Sequence, residues 1–231
     1  MARQDPETGS KRRPDRIDII ATAVLLIFTA ALHLLYILIT YMAFDRTNIA
    51  VGIDYEIPFI KEFAIPYVMW YAFLVIPFIY YWNKSYRDFI EIGIYNLTGL
   101  AICCIIFIIF PTSIDFRPPA PEESDIISSI VRFIYKSDPA YSVLPSLHCY
   151  ESATVVIGMF QSRTYRDNKL VPVISLILAS FICLSTLFIK QHSVIDVAAE
   201  ITLTFVFIPV IGKIKKYMDR RYGIAENGKG I

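Results

Sequence analysis

Two histidines and an aspartate in the second half of the chain have side chains suited to nucleophilic and acid–base chemistry. His192 and Asp196 are four residues apart, so on a helix they share one face and the carboxylate can accept the imidazole N–H. That hydrogen bond fixes the tautomer and leaves the other ring nitrogen free to attack. Lys190 is close enough in sequence to give the same pocket a positive charge. The alternative is an interfacial salt bridge that closes a helix end, but it leaves a second histidine, His148, unexplained.

His148 belongs to the segment LPSLHCYES, which has the features of a helix start. Pro145 suits a first helical turn because its missing N–H is not needed there, and Ser146, Leu147 and His148 would follow in that turn. Unpaired backbone N–H groups and the positive end of the helix dipole make such a turn an anion site. A serine hydroxyl and an imidazole there can hold a phosphate oxygen and donate a proton. The plainer alternative is a helix start with an interfacial histidine.

Arg117 and the third histidine, His33, lie outside these two motifs. Arg117 lies in the proline-rich segment FPTSIDFRPPAP, and a guanidinium matches phosphate oxygens in a bidentate way. His33 lies within an apolar run without a neighbouring motif, and we predict for it a packed or hydrogen-bonded interior side chain. Because ionisable residues at membrane depth are costly, a functional role is the default hypothesis for His148 and His192.

The elements that must position these residues are apolar helices. Hydrophobic residues make up 55% of the chain and the mean hydropathy is +0.52, which excludes an ordinary soluble domain. A net charge of +1 gives no global field that would attract nucleic acid. A transmembrane helix needs about 20 apolar residues. We predict an all-α integral membrane protein whose six transmembrane helices form a compact bundle, with interfacial helices in the outer loops. The predicted spans cover residues 17–44, 66–82, 89–110, 145–161, 170–189 and 192–212.

The distribution of basic residues predicts the orientation of the spans. With six spans, sixteen Lys and Arg residues lie on the side that holds both termini and six lie on the other, and basic segments are retained in the cytoplasm. We therefore expect cytoplasmic termini, an extracytoplasmic site and a location in the plasma (cytoplasmic) membrane. Residues 1–16 are predicted to be a disordered basic tail, 17–212 the membrane domain and 213–231 a second basic tail.

Two outer loops and a set of aromatic residues complete the sequence-based prediction of the fold. Residues 51–66 alternate apolar, acidic and proline residues, which favours a segment lying along the membrane surface. In the second loop, residues 126–135 are predicted to form a short surface helix. Aromatic residues near the span ends are predicted to anchor the membrane interface. They are Tyr67, Trp70, Tyr81 and Trp82.

Together the three motifs resemble those of the type-2 phosphatidic acid phosphatase superfamily, the lipid phosphate phosphatases. Members have six transmembrane helices and three ordered motifs. These are a lysine and an Arg-Pro after the third span, Pro-Ser-x-His at the start of the fourth, and Ser-Arg before His-x-x-x-Asp at the start of the sixth. The matching residues here are Arg117-Pro118, Pro145-Ser146-Leu147-His148, and His192 with Asp196.

The resemblance implies a role for each matching residue. His192 would attack phosphorus to give a phosphohistidine, Asp196 would orient it, and His148 would protonate the leaving oxygen. Arg117, Ser146 and Lys190 would hold the phosphoryl oxygens, and Leu147 and Ser185 occupy further motif positions of the phosphate site. No metal and no cofactor are implied. The expected partners are a phosphorylated lipid and the bilayer, with no nucleic acid; a homodimer is left open.

The sequence departs from the family pattern at three positions. Phe110 stands where the first motif has lysine, Thr186 stands where the third has arginine, and Leu147 stands where many phosphatases have glycine. A pocket that lacks two cations favours a less charged phosphodiester. The Pro-Ser-Leu-His form resembles the branch that includes inositol-phosphorylceramide and sphingomyelin synthases, which pass the phosphoryl headgroup to a lipid hydroxyl. The overall match of the three motifs nevertheless makes a lipid phosphatase the leading hypothesis. The alternatives are a lipid phosphotransferase, a metal-dependent membrane hydrolase and a non-enzymatic channel or scaffold.

Overall fold

The structure is a computed structural model that describes residues 3–4, 11–12, 16–42 and 44–221. Most of these residues are helical. The α-helices are α1 (Arg16–Tyr41), α2 (Gly52–Glu56), α3 (Ala64–Lys84), α4 (Tyr86–Ile109), α5 (Ile126–Ser137), α6 (Leu147–Gln161), α7 (Leu170–Phe188) and α8 (Val194–Arg221). Short 3-10 turns cover Lys61–Phe63 and Arg163–Tyr165. Four two-residue strands are β1 (Arg3–Gln4), β2 (Lys11–Arg12), β3 (Thr47–Asn48) and β4 (Thr112–Ser113).

Among the described residues, five helical segments are long and apolar enough to cross a membrane, which marks the chain as a membrane protein. They are Arg16–Tyr41, Lys61–Lys84, Tyr86–Ile109, Leu170–Phe188 and Val194–Tyr217. The remaining predicted span corresponds to α6, which has 15 residues. At 1.5 Å per residue it is about 22 Å long, shorter than the roughly 30 Å hydrocarbon core. Most of its side chains are buried against other helices.

Helix bounds differ most from the prediction at α8. Pro77 lies inside α3, where proline removes one backbone hydrogen bond without ending the helix. α8 continues to Arg221, into residues predicted to be a tail, whereas residues 222–231 lie outside the described part. In the predicted N-terminal tail, β1 and β2 pair antiparallel.

α6 lies between α3, α4, α7 and α8, whereas α1 packs on α4. Two glycines allow α4 and α6 to approach closely. A Cβ on Gly99 of α4 would lie 1.7 Å from a ring carbon of Tyr150, and one on Gly158 of α6 would lie 2.3 Å from Ile92. Tyr150 of α6 donates a hydrogen bond to the Tyr95 carbonyl of α4 at 2.9 Å. The helix that begins with the His148 motif is therefore fixed by close packing along its length.

Contacts between loops show which helix ends lie together. β3, after α1, pairs in parallel with β4, after α4, and Asp54 of α2 contacts Ser193 just before α8. The ends of α1, α4 and α7 therefore lie with the starts of α3, α6 and α8. The helix predicted at 126–135 is confirmed as α5, which buries Val131 and Ile134.

Candidate functional site

The turn between α7 and α8 carries His192 and Asp196 in contact. His192 Nδ1 lies 3.1 Å from Asp196 Oδ2, and both side chains are buried. The expected contact is present, but the two residues do not share one face of a helix, because α8 begins only at Val194. Asp196 reaches back from the first turn and also accepts the Ser193 backbone N–H at 2.8 Å, as an acidic residue does in a capping box. Asp196 Oδ1 has no hydrogen-bond partner among the described residues.

His148, in the first turn of α6, faces His192. The two ring centroids are 5.7 Å apart and the ring planes are inclined by 65°, close enough for both imidazoles to contact one small tetrahedral anion. Each residue is 6% exposed, so the groups share a largely desolvated pocket. His148 Nδ1 is buried and makes no hydrogen bond to a described residue. Residues distant in sequence thus bring two imidazoles and one carboxylate together.

Two aromatic residues of α3 form the wall behind His148. The rings of Tyr67 and Trp70 lie 4.4 Å and 4.3 Å from the imidazole, centroid to centroid. The prediction that these residues anchor the membrane interface is wrong, as it is for Tyr81, because all three are at most 9% exposed; Trp82 is partly buried. The aromatic wall limits how the His148 ring can turn.

Arg117 lies beside the turn that precedes His192. Its Nη1 donates to the Asp138 carbonyl at 3.0 Å and its Nε to the Lys190 carbonyl at 3.4 Å, while its guanidinium carbon is 4.8 Å from the Tyr135 ring centroid. Burial lowers the pKa of Arg117, and the charge of Asp138 opposes that shift. Arg117 Nη2 is buried without a partner in the described structure. One guanidinium nitrogen is therefore left for a ligand.

The Lys190 side chain is bonded to the segment between α1 and α3. Its backbone has a φ of 58°, in the left-handed region that non-glycine residues rarely adopt. Its ammonium donates to the backbone carbonyl of Asp54 and lies 5.4 Å from the Phe116 ring centroid. Burial lowers the pKa of Lys190, and Asp54 partly offsets this shift. The ammonium is thus committed to a carbonyl of the protein rather than pointing freely into the pocket.

The other predicted phosphate-site residues have local partners. Ser146 caps α6, since its Oγ accepts the Cys149 N–H at 3.4 Å, and its hydroxyl proton remains available. Leu147 belongs to a buried apolar cluster with residues of α1 and α4. Ser185 donates to the Ile182 carbonyl inside α7 at 2.6 Å. Of these three side chains, that of Ser146 alone has the position and chemistry to contact an anion beside His148.

Thr186, at the position of the missing motif arginine, supports the site through its backbone. Its carbonyl accepts the N–H groups of Gln191 and His192 at 2.8 Å and 3.1 Å, and its hydroxyl bonds to the Cys183 carbonyl. The end of α7 therefore holds the His192 turn without adding a charge. Phe110, at the other missing cation, ends α4 and is 43% exposed.

Three site residues escaped the sequence analysis: Asp54, Asp138 and Gln191. Asp138 accepts the hydroxyls of Tyr36 and Tyr67, and its carbonyl accepts Gln191 Nε2 at 3.4 Å. Gln191 is 2% exposed and its Oε1 has no partner in the described part of the chain. None of the three lies in a recognisable motif. The only local signal was that Gln191 is a polar residue directly before His192.

An apolar groove of about 390 Å³ runs between α3, α6 and α7. Its lining includes Pro66, Met69, Phe73, Met159, Ile174 and Phe181. Met69 precedes Trp70, which contacts His148, so the groove and the imidazole pocket both border α3. A groove of this composition suits a hydrocarbon chain.

His33, the third histidine, lies outside this site. Its Nδ1 is 2.9 Å from the Thr29 carbonyl and its Nε2 is 3.5 Å from Glu151 Oε1, so the predicted hydrogen bonding is confirmed, although the side chain is 38% exposed rather than interior. Within residues 16–42 and 44–221, together with the two short N-terminal strands, no cluster of three or more His, Cys, Asp or Glu residues could hold a metal ion.

Comparisons of the chain with protein-family models, curated proteins and solved structures find no match.

Proposed function

We propose that the chain is a membrane-embedded lipid phosphatase. It hydrolyses a phosphomonoester or diphosphate of a lipid, phosphatidate-like or polyprenyl, through a phosphohistidine on His192. The observation that carries the proposal is the buried pair of imidazoles 5.7 Å apart, one of which is bonded to a carboxylate. Its motifs resemble those of the type-2 phosphatidic acid phosphatases, and this resemblance supports the same reaction.

The reaction proceeds in two displacements at phosphorus. With its Nδ1–H donated to Asp196, His192 attacks through the other ring nitrogen; the P–N bond forms as the bond to the lipid oxygen breaks. His148 gives its proton to that leaving oxygen. A water molecule then attacks the phosphohistidine, His148 takes a proton from this water, and the P–N bond breaks to release inorganic phosphate.

Unsatisfied buried donors support the binding of a phosphoryl group. Buried polar groups are normally hydrogen-bonded, yet Arg117 Nη2 and Trp70 Nε1 have no partner among the described residues. Arg117 lies beside the His192 turn and Trp70 beside His148. Two donors fixed in a desolvated pocket stabilise negative charge that grows on the equatorial oxygens in the transition state.

The membrane placement follows from the site and the charges. We propose that α6 is the sixth span, shielded from lipid on most sides, so that six helices form one bundle. The site then lies at the less basic end, which is extracytoplasmic in the plasma membrane, with both termini in the cytoplasm. The groove beside the site holds the hydrocarbon part of the substrate while the phosphate lies between the imidazoles.

A lipid phosphotransferase is the second candidate, favoured by the small number of free cations. Phe110 and Thr186 supply no charge, and the Lys190 ammonium is engaged by the Asp54 carbonyl. Such a pocket suits a phosphodiester with one negative charge better than a doubly charged monoester. His192 then displaces the lipid alcohol of the donor and holds the phospho-headgroup, which passes to the hydroxyl of a second lipid as the P–N bond breaks.

A product screen tests the proposal and separates the candidates. Purified chain is incubated with phosphatidate, a polyprenyl diphosphate or a glycerophospholipid plus a ceramide acceptor, with His192→Ala and the matched histidine variant His33→Ala. Phosphate release lost in His192→Ala but kept in His33→Ala supports the phosphatase. A new phospholipid formed without free phosphate supports transfer. Activity abolished by EDTA and restored by zinc, or unchanged in His192→Ala, overturns the phosphohistidine mechanism.

A further inference from the structure

The turn that carries His192 is clamped by a residue of the first outer loop. Asp54 of α2 is 1% exposed, and its carboxylate accepts hydrogen bonds from residues more than a hundred positions later in the sequence. Oδ2 accepts the Ser193 hydroxyl at 2.7 Å and Oδ1 accepts the Val194 N–H at 2.9 Å. The Val51 N–H also donates to Oδ2, at 2.9 Å. A buried carboxylate thus links the loop after α1 to the first residues of α8.

This clamp is one bond away from the His192–Asp196 pair. Ser193, which Asp54 holds by its hydroxyl, donates its backbone N–H to Asp196 Oδ2. The same Asp196 oxygen contacts His192 Nδ1. Asp54 therefore fixes the residue that fixes the orienting carboxylate, although it does not contact the imidazole. The Lys190 ammonium, bonded to the Asp54 carbonyl, holds the other side of the turn.

We propose that Asp54 is a positioning residue for His192: through Ser193 and Asp196 it sets the direction of the imidazole in the pocket. The kinetic part of this inference rests on the proposed function, whereas the structural part does not. A carboxylate is needed because it offers two acceptor oxygens to three donors, and an asparagine at this position keeps only one of these oxygens. In Asp54→Asn, a donor of Ser193 or Val194 therefore loses its acceptor.

The matched control is Glu56→Gln, which removes the same charge from an exposed position of the same helix. Spectra of ¹⁵N-histidine protein in detergent, assigned with His33→Ala and His148→Ala, report the His192 Nδ1 proton directly. We expect this proton to exchange with solvent at least about ten times faster in Asp54→Asn than in wild type or Glu56→Gln.

Misplacing a reacting group by about 1 Å costs roughly 100-fold in rate. We therefore expect a kcat about 100-fold lower in Asp54→Asn, with KM changed by less than about threefold.

Ser193→Ala keeps the test decisive if Asp54→Asn does not fold. It removes the Asp54–Ser193 bond together with the weaker bond from the Ile195 N–H to Ser193 Oγ at 3.2 Å, and we expect it to speed exchange of the His192 proton in the same direction. Where both single variants fold, the effect of Asp54→Asn should be smaller in the Ser193→Ala background than in wild type. An unchanged His192 signal in either folded variant, or additive effects in the double variant, overturns the proposal. A wild-type protein without phosphate chemistry overturns the proposed function, and the spectra then still decide the role of Asp54.

Discussion

Asp88 and Asp196 are buried carboxylates near opposite ends of the helices, and they differ in how fully they are bonded. Asp88, at the start of α4, is 1% exposed. Its Oδ1 accepts Arg87 Nη1 at 2.7 Å, and its Oδ2 accepts the hydroxyls of Ser162 at 2.6 Å and Thr164 at 3.0 Å. Both of its oxygens are occupied by the protein, and they join α4 to the segment that follows α6.

Asp196 is bonded less completely than Asp88. Asp196 is 0% exposed, yet one of its oxygens has no partner in the described structure, and the same holds for His148 Nδ1, Arg117 Nη2 and Gln191 Oε1. An unsatisfied buried polar group costs about 1–3 kcal/mol. A cluster of such groups beside two imidazoles indicates a place for a polar ligand, whereas Asp88 has both oxygens bonded in a structural cross-link.

The largest expected effect is on His192. Without the attacking nitrogen the phosphohistidine cannot form, and loss of a nucleophile leaves only the catalysis due to binding. We expect His192→Ala to lower turnover by at least about 10⁴-fold and to keep the melting temperature close to that of wild type. Phosphate release and thermal unfolding of the same preparation measure both quantities. Turnover within tenfold of wild type would remove His192 from the mechanism.

The same substitution at the two carboxylates sharpens the comparison between them. Asp196→Asn keeps the shape but loses the charge that orients and stabilises the imidazole, and we expect a loss in kcat of about 10³- to 10⁴-fold. Asp88→Asn weakens a buried ion pair, which costs up to about 3–5 kcal/mol of stability, with little change in kcat per folded molecule. Denaturation curves and kcat for both variants test this. Equal loss of activity in both would mean that the two carboxylates do not differ in role.

For His148 the expected effect depends on the leaving group. A general acid contributes about 10²- to 10⁴-fold when the leaving oxygen needs a proton. We expect a loss of that size in His148→Ala with an alkyl phosphate and less than about tenfold with a nitrophenyl phosphate. Parallel kcat/KM measurements on the two substrates give the ratio, and an equal loss on both would contradict the acid role.

Arg117 should give the smallest effect among the residues of the site. Removing one donor that stabilises the transition state costs about 10²- to 10³-fold, so we expect roughly 100-fold in Arg117→Met. Arg117→Lys retains charge but loses the fork geometry, and we expect a loss of about tenfold. Vanadate inhibition constants should rise in the same order. Binding of vanadate that does not change in either variant would show that the guanidinium does not face the anion.

Local signals in the sequence predicted much of the helical fold, because long apolar runs identify lipid-facing helices directly. α6 is the exception: it has 15 residues and several polar ones, since it is buried among other helices rather than exposed to lipid. The aromatic residues Tyr67 and Trp70 were misassigned because an interface belt and a buried wall have the same composition. Only the packing of α3 against His148 distinguishes the two.

The candidate site could be predicted only where its residues are close together in the sequence. His192 and Asp196 are neighbours in sequence, and spacing alone indicated their contact, although the capping geometry starts α8 two residues later than expected. Asp54 and Asp138 act through partners 139 and 71 residues away, and no local pattern reports such a distance. The engagement of Lys190 by the Asp54 carbonyl depends on the same long-range contact.

Trapping of the covalent intermediate tests the central claim most directly. Wild-type protein mixed with a ³²P-labelled lipid phosphate is denatured rapidly in base, which preserves phosphohistidine, and the labelled peptide is sequenced. We predict an acid-labile label on His192 in wild type and His33→Ala, and none in His192→Ala. Rapid turnover of the lipid without any label, or a label on another residue, would contradict the mechanism.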